Sequence, residues 1–277
     1  MKKTLFFSIL FFASLFFSCD ERPIEIPDLS GGIRRVLVEE ATGVACSQCP
    51  DGARTLTNLQ STFKAEGRQL IVVSVHAAGP FSVPYPASQY DFRSADAQAL
   101  ANFIGQLEGF PSSAVIRELL PNEISTFINP HTRWEGVIRG EFSEDYGLEV
   151  LIDNEYNVAS RELKINVDVD ALPGVLVEGN PFLTVLITQD SIVDLQNDSD
   201  VFVPGYVHRH VLRDVVSNAV GDPLTEPLTE GSTIRRTYSV VLPANWDEHH
   251  CSVVAFVHYG GTPSKEVLQA AEKYIIE

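Results

Sequence analysis

Positive charge is scarce in this chain. Its 277 residues hold 20 Lys and Arg against 37 Asp and Glu, a formal net charge of −17. A surface of that sign repels phosphate backbones and anionic headgroups, so nucleic acid is not an expected partner. Long apolar runs are lacking as well. Residues 4–17 form a run of 14 that reaches only ~21 Å, short of a ~30 Å hydrocarbon core. No later stretch is long and apolar enough to span a bilayer. There is no internal repeat, no phosphate-binding glycine loop and no Ser/His/Asp elbow. Cysteines number four: Cys19, Cys46, Cys49 and Cys251.

What is present begins at the amino end. Lys2 and Lys3 precede the apolar run, the pattern of a secretory signal. The run closes on Phe16-Phe17-Ser18-Cys19, which resembles the lipobox of bacterial lipoproteins, with Phe16 where Leu is usual. That resemblance implies a signal peptide over 1–18 and lipid on Cys19. Residues 19–32 then form an acidic tether, its prolines favouring extended chain. In an oxidising envelope Cys46 and Cys49 are the natural disulfide, and Cys251 is left reduced in a core.

The chain from 33 onward falls into two textures. The first alternates: a strand over 33–40, a helix from about Ser47 and an almost wholly apolar strand over 70–76. A helix over 94–107 and a strand over 112–117 follow, with a hairpin partner around 119–124. A helix over 125–141, interrupted near Pro130, closes the series. The apolar strand reads as a central parallel one, and the alternation as an α/β layer over 33–146. From 147 to 277 strand-like segments at 148–153, 162–169, 182–188, 237–242 and 251–258 are parted by turn residues. That is the spacing of an antiparallel, immunoglobulin-like β-sandwich. The tail, 265–277, suits either a helix or an edge strand.

The chemistry concentrates in ATGVACSQCPDG, residues 41–52. Cys46 falls where a buried strand hands over to a helix, whose unpaired N–H groups favour a thiolate. Cys49, one turn further, is placed to resolve a mixed disulfide, and Pro50 is tolerated in a first turn. Strand VLVEE, CxxC opening a helix, strand LIVVSVH, a helix, then Pro before a strand: this order resembles the thioredoxin fold. The resemblance implies that Pro111 is cis and shapes a peptide site against the sulfurs. It also implies that Glu40, six residues before Cys46, relays a proton, with Glu39 as fallback. No Trp precedes Cys46, and the spacer is Ser47-Gln48 rather than Gly-Pro.

Across most of the chain, VLVEEATGVACSQCP, SVHAAGPFSVP, YDFRS, FPSSAVIR, GYVHRHVLRD and CSVVAFV occur in that order. In this the chain resembles the envelope lipoproteins named for a twenty-eight-kilodalton outer membrane protein. That family implies an outer-membrane lipoprotein with a thioredoxin-like domain followed by the β-sandwich.

The expected function is thiol–disulfide exchange on envelope or surface proteins, with Cys46, Cys49, Glu40 and Pro111 as its residues and no cofactor. The alternative is a surface binding or adhesion lipoprotein in which the disulfide is a static staple. His76, at the carboxyl end of the apolar strand, is an auxiliary candidate for steadying the Cys46 thiolate. The Pro-rich loop after it would wall a groove. His208 and His210, and His249 and His250, are metal-ligand types without finger spacing. Residues 194–200 alternate oxygen side chains but lack the sixth-position Gly and twelfth-position Glu of a calcium loop. No metal is expected. If the lipobox reading holds, Cys19→Ser should move the protein out of the membrane fraction on detergent partitioning, since a tether without acyl chains has no anchor. Retention in that fraction with unchanged mass would refute it.

Overall fold

The computed structural model describes residues 33–276 except 78, 176, 178, 180, 262 and 263. The expected signal peptide, Cys19 and the tether lie outside the described residues. The first half is built on two buried, parallel strands, β1 (Val36–Ala41) and β2 (Leu70–Val75). The helix α1 (Cys49–Ala65) connects them, burying Leu56, Leu59 and Phe63 at helical spacing. Next comes α2 (Ala95–Ile104), opened by Ser94, whose hydroxyl accepts the Ala97 amide at 2.9 Å. Such a cap satisfies one of the amides that a helix start leaves unpaired. β3 (Ser112–Val115) runs antiparallel to β1 and ends in Ile116 and Arg117, both at positive φ (44° and 58°).

That turn carries residues 119–124 away from β3, so the hairpin partner is not there. It is β4 (Phe127–Ile128), which pairs with Ser113 and Ala114. The same pairing takes up the start of the expected helix over 125–141. Only α3 (Trp134–Glu141) is α-helical, after a single 3-10 turn at His131–Arg133.

The second half is almost all strand: β5 (Leu148–Asn157), β6 (Glu162–Ala171), β7 (Phe182–Gln189), β8 (Ile192–Asp198), β9 (Val201–His208), β10 (Val211–Val215), β11 (Asp222–Pro223), β12 (Thr233–Val241), β13 (Cys251–His258) and β14 (Val267–Tyr274). The tail is thus an edge strand on β13, not a helix. β5, β6 and β12 form a three-stranded sheet in which Leu163, Ile165, Val167 and Val169 of β6 point inward at alternate positions. They pack on Leu183, Val185 and Ile187 of β7 and on Val253, Ala255 and Val257 of β13.

β7, β10, β13 and β14 do not close a separate unit. They continue the sheet of the first half in the order β14-β13-β7-β10-β2-β1-β3-β4, with β11 added to β7. The seam is narrow. Val211 of β10 pairs in parallel with Ser74 of β2, whose amide donates to the His210 carbonyl at 2.8 Å. At the far end, the Val267 amide of β14 donates to the Ile116 carbonyl at 2.7 Å. Leu186, Val254 and Phe256 consequently share one apolar core with Val36, Leu56 and Ile71. Sheet and core both cross the expected boundary between residues 146 and 147. The architecture is mixed α/β, with most of its regular secondary structure in sheets.

One charged pair lies at the centre of that shared core. Arg117 Nε and Nη2 each donate at 2.7 Å to the two carboxylate oxygens of Glu39, and both side chains are buried. The guanidinium sits over the rings of Phe103 and Phe256. Removing one partner would leave the other charge buried and unpaired. Arg117→Ala is therefore expected to cost about 3–5 kcal/mol in urea unfolding, and a loss under about 1 kcal/mol would show that the pair is not desolvated.

Candidate functional site

Successive residues of a strand face opposite ways, so Glu39 and Glu40 part company at the end of β1. Glu39 turns to Arg117. Glu40 turns to the first coil of α1, where Gly52 makes room for it. A β-carbon at Gly52 would stand 2.7 Å from Glu40 Oε1 and 2.9 Å from Pro111 Cβ. The Phe110–Pro111 peptide is cis and leads directly into β3. Helix start, acid and proline ring therefore meet at one point. A second close approach lies at Gly43, where a β-carbon would be 2.2 Å from the Phe81 carbonyl oxygen. That carbonyl accepts the Ala45 amide at 2.8 Å and so brings the Pro-rich loop onto the cysteine segment.

Cys46 and Cys49 are bridged, with Cα atoms 5.4 Å apart. The helix does not begin at Ser47. It begins at Cys49, so Ser47 and Gln48 form a turn in which the Cys49 amide donates to the Cys46 carbonyl at 3.3 Å. Cys46 is thus ahead of the helix, and the helix end acts most directly on Cys49. Both half-cystines are buried, at 3% and 2% exposure. Cys251 is a free, buried thiol on β13, pushed up to about 12 by burial.

The segment around Cys46 is roofed by the β8–β9 hairpin. Its turn, Ser199 and Asp200, has both φ values positive (52° and 64°), the two-residue geometry that matches strand twist. The Asn197 amide donates to the Val44 carbonyl at 2.9 Å and the Ser199 amide to that of Ser47 at 2.8 Å. The Gln196 side-chain amide donates to the carbonyls of Gly43 (3.2 Å) and Cys46 (3.1 Å). Asp198 closes the tip on α1 through Arg54 at 2.9 Å. At the base of the hairpin Asp194 accepts the amides of Gln89, Tyr90 and Leu195. Residues 194–200 are therefore the end of a strand and its turn, and the carboxylates of Asp194 and Asp198 are engaged by amides and Arg54. Among the described residues no group of three or more His, Cys, Asp and Glu could hold a metal ion.

Beneath the hairpin lies a small, partly open pocket of about 20 Å³, lined by Glu40, Cys49, Ser74, His76, Gln196 and His208 among others, room for about one water. Glu40 Oε2 accepts the Ser74 hydroxyl at 3.3 Å, while Oε1 has no partner. Burial pushes this carboxyl up to about 8, against a small opposing effect of Ser74. His76 and His208 flank Phe92, each with its ring 4.9 Å from that of Phe92. Burial holds His76 down to about 3, reinforced by the neighbouring His208, and holds His208 down to about 4. His76 Nδ1 and His208 Nε2 also lack partners. A larger cavity, about 390 Å³, opens on the other side of Glu40 between α1 and β9. His210 does not share the His208 face. It sits past the end of β9 at φ 53°, with Nε2 3.0 Å from Gln60 Oε1.

Gly52, Gln196, Ser74 and His208 escaped the sequence reading of the site. Gly52 left a signal, a glycine inside a helix where it costs stability. His208 stood out only as a metal-ligand type, and Gln196 left no signal because β8 turns Ile192, Asp194 and Gln196 inward together. Polar residues on the inward face hide a strand's alternation.

The family described as "Outer membrane protein Omp28" matches residues 97–276. The chain belongs to this family, as the resemblance implied, and is a protein of the cell envelope. Among solved structures it is similar to HBP35 of Porphyromonas gingivalis, with TM-score 0.70 and 15% identity over 88% of this chain and 76% of that one. It is also matched to an Agrobacterium tumefaciens protein (14% identity, TM-score 0.46, 87% of this chain and 95% of that one). A domain of the outer membrane lipoprotein Omp28 from P. gingivalis gives 19% identity and TM-score 0.32 over 47% of this chain and 88% of that one. No curated protein matches the chain. Among the described residues no helix is long and apolar enough to cross a membrane.

The pocket makes a prediction about pH. Unfolded, Glu40 ionises near its ordinary 4.5; folded, it keeps its proton to about 8. Between those values the folded state binds the extra proton, so this contribution to stability falls as pH rises. Glu40→Gln, neutral throughout, should be more stable than wild type at pH 7 by something on the order of 3 kcal/mol, with the gain vanishing towards pH 4.5. The histidines act oppositely, taking stability away as pH falls from 6.5 towards 4. Urea melts at pH 5 and pH 7 read the difference. A Glu40→Gln effect that does not change between them would mean that the acid is already ionised in the fold.

Proposed function

We propose that this chain is a lipid-anchored envelope protein whose Cys46–Cys49 couple exchanges with the thiols and disulfides of other envelope proteins. The strand order β2-β1-β3-β4, parallel then antiparallel, supports a thioredoxin-like reading of residues 33–146. So do the disulfide ahead of α1 and the proline ahead of β3. The packing of β5, β6 and β12 on β7 and β13 supports the sandwich reading of the remainder.

The observation that carries the exchange reading is Glu40. A buried carboxyl with one long hydroxyl contact and a free oxygen is costly. A staple has no use for it, whereas a disulfide that opens needs a proton at the leaving sulfur. In the reducing direction a partner thiolate attacks Cys46 Sγ, and the Cys46–Cys49 bond breaks. Cys49 Sγ leaves with the electron pair and takes the Glu40 proton. A second partner thiol then attacks the mixed disulfide, forming the partner's disulfide and releasing Cys46 Sγ. The protons of the two partner thiols end on Cys46 and, by way of Glu40, on Cys49. Pro111, against Gly52, sets the wall beside the sulfurs. His76 stays neutral at physiological pH, so it serves as a hydrogen-bonding neighbour rather than a positive charge.

The second reading, a binding or adhesion lipoprotein with a static disulfide, is favoured by the burial of both half-cystines. Trapping separates the two. Cys49→Ala should accumulate mixed disulfides with envelope proteins, formed when Cys46 attacks a partner disulfide and Cys49 is no longer there to resolve them, and Cys46→Ala should trap far fewer. Non-reducing gels with mass mapping read the result. If neither variant traps a partner, the staple reading takes over.

A further inference from the structure

The backbone around Cys46 is unusually well supplied with donors from one place. The carbonyls of Gly43, Val44, Cys46 and Ser47 each accept from the stretch 196–199 of the hairpin. Two of those donors, the amides of Asn197 at the end of β8 and Ser199 in the turn, are main-chain groups. The hairpin tip therefore covers the cysteine segment with polypeptide backbone. It is not part of the large sheet; β8 and β9 pair only with each other.

Its hold is light. β9 is mostly exposed, with Val201 at 62% and Phe202 at 57%. Its tip is fixed by Arg54 and Asp198, a pair at the surface. Segments with few buried apolar contacts and solvent-exposed attachments open first.

We propose that the β8–β9 hairpin is an internal occupant of the substrate site. Substrates of the couple are polypeptide segments whose backbone amides replace those of Asn197 and Ser199, and exchange proceeds with the hairpin tip displaced. This rests on the exchange reading above. It gives Gln196 a positioning role: its amide satisfies the Cys46 carbonyl while the site is closed and must leave it when a substrate segment arrives. The burial of the sulfurs, which favours a staple when taken alone, becomes the closed state of a site that opens.

The test follows the reduction of the 46–49 disulfide in the full chain by dithiothreitol, with alkylation and mass analysis. In wild type the rate should level off as dithiothreitol increases, because opening limits it. Asp198→Ala removes only a surface ion pair and should raise the plateau about threefold. Gln196→Ala should raise it about tenfold. Amide exchange at Asn197 and Ser199 should quicken in step. A wild-type rate that climbs in proportion to dithiothreitol and is unmoved by either variant overturns the proposal, and Asp198→Ala keeps that outcome readable if Gln196→Ala does not fold. The second arm offers reduced, unfolded ribonuclease to the same oxidised proteins. Faster ribonuclease oxidation by the opened variants than by wild type supports both the occupant and the exchange reading. Faster reduction by dithiothreitol without any ribonuclease oxidation overturns the exchange reading, and with it the identity of the substrate, while leaving the hairpin as the cover.

Discussion

The structure depends on a pairing one residue long. Where Val211 meets Ser74, the sheet of the first half and the strands of the second become continuous. That contact decides where the hairpin goes, because β8 and β9 are the excursion between β7 and β10. With β10 pinned beside the carboxyl half of β2, the excursion has to emerge over the loop that follows β1. Ser74 also turns its hydroxyl to Glu40. One residue thus holds the seam and touches the buried acid, so the pocket is a property of the joined halves and belongs to neither alone.

The electrostatics beneath the hairpin are those of a poorly solvated place kept neutral. Glu40 is protonated and the two histidines are not, each by burial rather than by a charged partner. The contrast with Glu39 is instructive. It is one residue away and equally buried, yet the bidentate Arg117 satisfies both its oxygens. The strand therefore carries one acid for cohesion and one that can give and take a proton. Only the alternation of faces assigns which is which.

Much of this was legible in the residues. The apolar run over 70–76, the Leu56–Leu59–Phe63 spacing and the proline before SSAV gave their elements directly, because burial on one face or two imposes a period. The CxxC was recognisable for its spacing. The strand order across the joined sheet was not legible, since it depends on partners far apart in sequence and Val211–Ser74 leaves no local mark. Nor was the hairpin. Asp194 and Gln196 look like a solvated loop because they are polar, yet they are buried through hydrogen bonds to backbone, which hydropathy does not register. The helix start was misplaced by two residues, as helix ends commonly are, and here that puts Cys49 at the first helical residue and leaves Cys46 three residues ahead of it.

A shared core also sets the order of assembly. A chain threaded into the envelope from its amino end presents β1, α1 and β2 long before β13 and β14 exist on the far side. Through that interval β2, LIVVSV, has β1 on one flank and an open edge on the other. Such an edge is a template for pairing with other chains. Cys46 and Cys49, by contrast, can find each other at once, with Cys251 still to emerge. Where export runs from the amino end, the 46–49 disulfide can therefore form before Cys251 emerges, while the large sheet waits for β13 and β14.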